Sequence, residues 1–288
     1  MKTCVSTYSY GKYLSDDKLG LFGCIDHAAE CGFDGIEFSE DKWLKEDGIA
    51  VRIREYCEEK RITPVALLVS ADLINNGEND GRDEIARVCR LIDTAHKMGV
   101  KLFRHDVTCG LPTDRKHGRS FDRLLPKIAE RVREITKYAE QKGIRTVSEN
   151  HGFFCQDSER VEKLINAVDH PNYGALVDCG NFMCADENPN FAVGVMAPYA
   201  FHVHAKDFIL KSGTEIDPGD GFFRTRGGNF LRGTVIGHGS ANVAQSIGIL
   251  KRAGYDGYVT VEFEGMEDNL DGISLGRSNL LRYFEMFN

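Results

Sequence analysis

Eight short apolar runs, each separated from the next by a longer segment, constrain this chain more than any other feature. They are TCVSTYS near residue 3, DGIEFS near 34, TPVALLVS near 63, KLFRHDV near 101, GIRTVSE near 143, YGALVDCG near 173, AFHVHAKD near 200 and GYVTVEF near 257. Their shortness and their content of Val, Ile, Leu and Phe read as buried strands. The intervening segments carry helical period. In LLPKIAERVREITKYAEQKG, Leu125, Ile128, Val132, Ile135 and Ala139 fall on one stripe and Gly143 supplies the stop. Strand and helix therefore alternate eight times, mostly at the spacing of one βα unit. Right-handed crossovers then close a parallel (β/α)8 barrel. A doubly wound open sheet is the alternative, but it rarely holds eight such units. The 288 residues, 42% of them hydrophobic, suit a single α/β domain over 1–288, because the barrel takes about 250 residues.

One interval is nearly twice the usual length. Its extra part, FILKSGTEIDPGDGFFRTRGGNFLRGTVIGHG, is dense in glycine and lacks helical period, so a long loop at about 208–237 is expected after strand seven. Loops of this kind often cover active sites, and the glycines allow a hinge that would order over substrate.

Lys and Arg total 36 against 44 Asp and Glu, a formal charge of −8, which argues against binding to nucleic acid or an anionic membrane by charge. Nine cysteines, an odd number with no CxxC pair, read as free thiols in a reducing compartment. The N-terminal MKTCVSTYSYGKY lacks the pattern of a signal peptide, and no 18-residue apolar run occurs. A cytoplasmic protein is expected, with homo-oligomerisation left open.

In a barrel, residues at the C-terminal strand ends share one mouth, where the chemistry of this fold is found. Here strand five ends in Glu149, strand six in Asp178, strand seven in His204 and strand eight in Glu262. Taken singly, such an acid is often no more than a helix cap. Four on consecutive strands would meet above the barrel axis, where three carboxylates raise one another's pKa unless a cation lies among them. Three oxygen donors and one nitrogen suit one divalent ion: Mn²⁺ foremost, with Mg²⁺, Co²⁺ or Zn²⁺ as alternatives.

The motifs FDGIEF, SENHG, ALVDCGN, HVHAKD and GHGSANVAQSIGILKRAGYDGYVTVEFEG cover most of the chain in this order. With them it resembles the sugar phosphate isomerase/epimerase superfamily, the xylose isomerase-like TIM barrels. These include tagatose 3-epimerase-type enzymes, inosose-processing enzymes and endonuclease IV. The resemblance implies a metal shell of Glu149, Asp178, His204 and Glu262, with the two glutamates also acting as proton-transfer groups. One departure stands out. Where the epimerases read Asp-x-x-His after strand six, this chain has DCGN and puts Asn181 in place of the histidine. An amide binds a hydroxyl but shuttles no proton at neutral pH.

Further candidates follow from strand faces. His151, two residues past Glu149, is expected to bond substrate or orient that glutamate. His202 shares the face of His204 one layer deeper, and Lys206 lies on it one step higher. Arg104 and His105 alternate on strand four, and Arg104 is the one assigned to the site. Glu264 competes with Glu262, while Tyr8, Tyr10 and Glu37 end strands one and two. In the long loop, Arg232 and His238 are expected substrate contacts, with Arg224 and Arg226 nearby.

The expected activity is a metal-dependent isomerase or epimerase working through an enediolate on a ketose, keto-sugar or cyclitol. Glu149 and Glu262 would move protons on opposite faces of the substrate. No phosphate-binding glycine motif is present, which favours unphosphorylated substrates. The alternative is a lyase, since the same enolate can expel a β leaving group, as in inosose dehydration or cleavage of a 3-keto glycoside. A non-enzymatic sugar-binding protein and an endonuclease IV-like nuclease rank below these.

Overall fold

The computed structural model describes residues 1–15, 17–75, 81–111, 117 and 119–287. Eight parallel strands form a closed barrel: β1 (Lys2–Ser6), β2 (Gly35–Ser39), β3 (Thr63–Val69), β4 (Leu102–His105), β5 (Arg145–Glu149), β6 (Tyr173–Asp178), β7 (Ala200–Ala205) and β11 (Tyr258–Val261). The order around the barrel is β1-β11-β7-β6-β5-β4-β3-β2, so each strand pairs with its sequence neighbours in the set. All eight apolar runs supply a barrel strand.

Helices α1 (Gly20–Glu30), α2 (Ile49–Lys60), α3 (Arg82–Met98), α4 (Phe121–Gln141), α5 (Ser158–Val168), α6 (Pro189–Met196), α7 (Val243–Arg252) and α8 (Asn269–Met286) flank the barrel. Their apolar stripes make the main core. On α4, Ile128, Val132, Ile135 and Ala139 are buried, and the Ser120 hydroxyl caps its first turn by accepting from the Arg123 N–H.

Inside the barrel the side chains are layered. A small apolar plug of Cys4, Val65, Ala66, Leu68, Leu102, Val147 and Leu176 fills the axis, apart from the larger core between sheet and helices. Toward the C-terminal strand ends the inward positions turn polar, through Glu37, His202 and Thr260, all sealed from solvent.

The segment after β7 differs from the expected loop. β8 (Asp207–Lys211), β9 (Phe223–Arg224) and β10 (Phe230–Thr234) form a three-stranded antiparallel sheet in the order β8-β10-β9. The glycines serve turns: Gly219, Gly221 and Gly228 all hold positive φ. The sheet is also tied down. Asp186 accepts from the Thr225 hydroxyl, the Gly227 N–H and the Asn229 amide, and Arg226 pairs with Asp157 at 2.8 Å. A hinged flap is thereby replaced by an anchored wall on the loops that follow β5 and β6. All nine cysteines are free thiols. Among the described residues no helix is long and apolar enough to cross a membrane.

Candidate active site at the barrel mouth

Asn150 stitches the ends of β5 and β6 together. Its amide donates to the Asp178 carbonyl at 2.9 Å, and its side-chain oxygen accepts from the Asp178 N–H at 2.8 Å. Beyond Asp178 the chain turns sharply, with Oδ1 accepting from the N–H groups of Gly180 and Asn181. A Cβ at position 180 would lie 2.7 Å from the Lys206 carbonyl oxygen, so only glycine fits this approach. On β7, His204 stands in register with Asp178 on one side and Thr260 of β11 on the other. The backbone N–H of Glu262 donates to the Ala205 carbonyl, extending that pairing by one residue.

These constraints bring Glu149, Asp178, His204 and Glu262 together, each offering an atom within 4.8 Å of the others. His204 Nδ1 lies 3.3 Å from Glu262 Oε2, 3.8 Å from Glu149 Oε1 and 4.0 Å from Asp178 Oδ2. Asp178 Oδ2 and His204 Nδ1 are fully buried without a hydrogen bond, and Glu262 Oε2 beside them is held by the Lys206 ammonium at 2.7 Å. Buried polar atoms are rarely left without a hydrogen bond, and here two of them point at one spot.

The charges explain the perturbed titration. Burial pushes the Asp178 carboxyl up to about 7, with Glu262 and Glu149 adding to the rise and Lys206 opposing it. Burial would also raise Glu262, but Lys206 at 2.7 Å and His204 outweigh it and hold that carboxyl well below the usual range. Glu37, wholly buried, is held at about 2, because His204 and His202 overcome the burial cost.

Each quartet glutamate leans on a cation. Glu149 Oε2 lies 2.7 Å from Arg104, which also pairs with Asp106 at 2.9 Å, and Asp106 in turn meets His151 Nδ1 at 3.2 Å. Burial would lower the His151 pKa, but the bond to Asp106 raises it. Across the mouth Lys206 touches Glu262 and Glu264, whose Oε2 accepts from the Tyr8 hydroxyl at 3.2 Å.

A cavity of about 230 Å³ opens above, lined among others by Tyr8, Ser39, Glu40, Ser70 and the quartet's two glutamates. Arg104, His151 and Lys206 line it as well, as their strand faces imply. His105 instead packs outward against Tyr173. Asn181 is placed below the cavity rather than in it, donating to Glu149 Oε1 at 2.9 Å, so it holds a glutamate where a substrate contact was expected. Glu37 is likewise no substrate contact, being sealed beneath His204. Arg232 and His238 do not line the cavity: Arg232 lies over the Phe222 ring and against Met266, and His238 is exposed. Antiparallel pairing of β10 with β8 sets the direction of Arg232, and His238 lies in the turn that follows β10, its N–H donating to the Val235 carbonyl. Tyr10 packs on His27. Asp106, Ser39 and Glu40 escaped the sequence reading, although Asp106 shares Arg104's strand face and Ser39 that of Glu37.

A parallel barrel with buried acids and an imidazole gathered at its C-terminal strand ends has the architecture of a barrel enzyme. The chain belongs to the xylose isomerase-like TIM barrel family, whose profile matches residues 25–282. Its curated relatives include an inosose dehydratase 2 of Bacillus cereus, 28% identical over 251 residues, which are 84% of this chain and 81% of that one. The inosose dehydratase of Bacillus thuringiensis (strain Al Hakam) is 28% identical over 141 residues. That match covers 48% of this chain and 46% of the relative, about half the length of each. Among solved structures, the IOLI protein with a bound zinc atom superposes with a TM-score of 0.77 at 20% identity, covering 100% of this chain and 99% of that one. A D-tagatose 3-epimerase-like protein gives 0.73 at 19% identity, with 100% and 98% covered. At such identities these structures share the fold.

Proposed function

We propose that this protein is a divalent-metal-dependent isomerase or epimerase of an unphosphorylated ketose, keto-sugar or cyclitol. The observation that carries this reading is the convergence of the buried Asp178 Oδ2 and His204 Nδ1, neither hydrogen-bonded, with the carboxylates of Glu149 and Glu262. These four residues would hold the ion. If all are ionised, the six carboxylates of Glu37, Asp106, Glu149, Asp178, Glu262 and Glu264 outnumber the cations Arg104 and Lys206, an excess that a divalent ion would reduce. Three oxygens and one nitrogen suit Mn²⁺ best, with Mg²⁺, Co²⁺ and Zn²⁺ also fitting. When bound, such an ion supplies Lewis-acid polarisation of a carbonyl, which acidifies the neighbouring C–H.

The chain's own residues do the rest. Glu149 and Glu262 enter from β5 and β11, with β6 and β7 between them, so one can take a proton from a substrate carbon and the other return it on the opposite face. Arg104 and Lys206, the cations that line the cavity, are both already matched by carboxylates, which leaves neither free for a phosphate. That supports a neutral polyhydroxylated substrate in this cavity. The IOLI structure, which holds a zinc atom, and the D-tagatose 3-epimerase-like structure share this fold.

A second reading, a lyase such as a dehydratase, is favoured by the relative that covers most of the chain, inosose dehydratase 2. It needs one base and an acid at the leaving group. Proton NMR of the Mn²⁺- and Co²⁺-supplemented enzyme with ketoses, inososes and 3-keto glycosides in D₂O separates the readings. Metal-dependent C–H exchange with epimer or isomer supports the first, and elimination moves the assignment to the second. Sugar binding with no exchange at all overturns both.

A further inference from the structure

Beneath the quartet lies a fully buried carboxylate that the proposed chemistry does not use. Glu37 reaches inward from β2 and meets β7 across the barrel, past β1 and β11. Its Oε1 stands 2.9 Å from His204 Nε2. Its Oε2 is 2.8 Å from His202 Nε2 and accepts from the Thr260 hydroxyl at 3.1 Å. Exposure is 0% for Glu37 and Thr260 and 1% for His202.

Burying a carboxylate away from any permanent cation costs several kcal/mol after relaxation, and an apolar side chain would fill the space without that cost. His202 Nε2 and the Thr260 hydroxyl satisfy Oε2, while Oε1 and His204 Nε2, 2.9 Å apart, have no hydrogen bond to any other group and face each other. This geometry makes sense through His204. An imidazole can offer its Nδ1 lone pair only while its proton sits on Nε2. The carboxylate facing Nε2 favours that form and turns Nδ1 toward Glu262, Asp178 and Glu149.

We propose that Glu37 is a positioning residue for the metal site: it selects the Nε2–H tautomer of His204 and fixes its ring, while His202 and Thr260 hold the second carboxylate oxygen. The inference rests on His204 being a metal ligand, as proposed above. Its signature is metal affinity separated from fold stability. Glu37→Gln keeps the shape, but its single acceptor oxygen cannot face both imidazoles. By titration calorimetry of chelator-treated protein, Co²⁺ should bind the variant about 10- to 100-fold more weakly than wild type, with an altered Co²⁺ visible spectrum. The metal-free urea midpoint should fall, since the imidazoles that overcome the carboxylate's burial cost lose it. A purely structural role predicts the same fall in midpoint with unchanged Co²⁺ affinity and spectrum, and that result overturns the proposal.

Should Glu37→Gln not fold, ¹⁵N-histidine NMR of Zn²⁺-loaded wild type decides the matter. Coordination through Nδ1 with a slowly exchanging Nε2 proton is expected for His204, and coordination through Nε2 refutes the assignment. Failure of wild type to bind Co²⁺ or Zn²⁺ would bring down the metal reading and this one with it. Tight wild-type binding unaffected in Glu37→Gln would remove this one alone.

Discussion

Replacing Asp178 by Asn should stabilise the metal-free protein while abolishing its response to metal. Asn keeps a side-chain oxygen where Oδ1 accepts from the Gly180 and Asn181 N–H groups, so the turn after β6 survives. What disappears is the charge on Oδ2, which has no hydrogen bond and only the Lys206 ammonium 3.5 Å away. Burial, with the neighbouring glutamates, puts the folded-state pKa at about 7, against about 3.9 in an unfolded chain. For an acid with a raised folded pKa the ionisation penalty is absent below the unfolded value. It grows as pH rises between the two values and is fully present above the folded one. At about 1.36 kcal/mol per unit, the native state of metal-free wild type carries a penalty of about 4 kcal/mol at pH 7.5 and only about 1 kcal/mol at pH 4.5. Urea unfolding of chelator-treated protein, followed by circular dichroism, reads the difference directly. Asp178→Asn should exceed wild type by a few kcal/mol at pH 7.5, and the gap should close toward pH 4.5. Saturating Mn²⁺ should then raise the wild-type midpoint, by about 2.7 kcal/mol at a hundredfold excess over the dissociation constant, and leave the variant where it was. A metal-free Asp178→Asn protein less stable than wild type at pH 7.5 would refute the electrostatic reasoning, and an equal gain from Mn²⁺ in both would refute the ligand assignment.

Other outcomes are equally specific. Glu149→Gln and Glu262→Gln should each lower kcat by about 10² to 10⁴ with a smaller loss of metal affinity, and deuterium exchange without epimer formation should persist in one of them; wild-type turnover by both would remove the proton-transfer pair. Asp207 is 1% exposed and accepts from the N–H groups of Phe208, Gly237, Gly239 and Ala241. Asp207→Ala should therefore cost about 3 kcal/mol or more, seen as a lower thermal midpoint, and a change under about 1 kcal/mol would contradict that accounting. Glu84 is half-buried and, against its burial, held below the usual carboxylate range by Arg87 and the Asp72 N–H. Its folded pKa being depressed, its contribution is present above the unfolded pKa of about 4.3 and lost as pH falls through the folded value. Glu84→Gln should thus narrow the gap between urea midpoints at pH 7 and pH 3, and an unchanged gap would show that the pair contributes nothing.

Much of this was legible in the chain itself because two periodicities are local. Residues two apart on a strand share a face and residues three or four apart on a helix share a stripe. The eight runs and the stripe through Ile128, Val132 and Ile135 therefore identify strands, helix and barrel without reference to distant contacts. The same arithmetic places Glu149, Asp178, His204 and Glu262 at strand ends and turns Arg104 and His105 to opposite faces. Periodicity assigns a face but neither a depth nor a partner across the barrel, and there the tertiary structure decided. It put Glu37 of β2 against His204 of β7, 167 positions apart in the chain. It saturated Glu149 with Arg104 and Asn181 and drew Asn181 beneath the cavity. The glycine-rich stretch after β7 has short alternating segments whose pairing depends on register with one another, so composition suggested a loop where backbone hydrogen bonding made a sheet. That sheet's direction, set by antiparallel pairing of β10 with β8, carries Arg232 onto Phe222 and Met266, and the turn beyond β10 leaves His238 exposed. Faces are a property of neighbouring residues, whereas depth, pairing and charge balance belong to the closed barrel, because only closure brings strands distant in the chain within a few ångströms of one another.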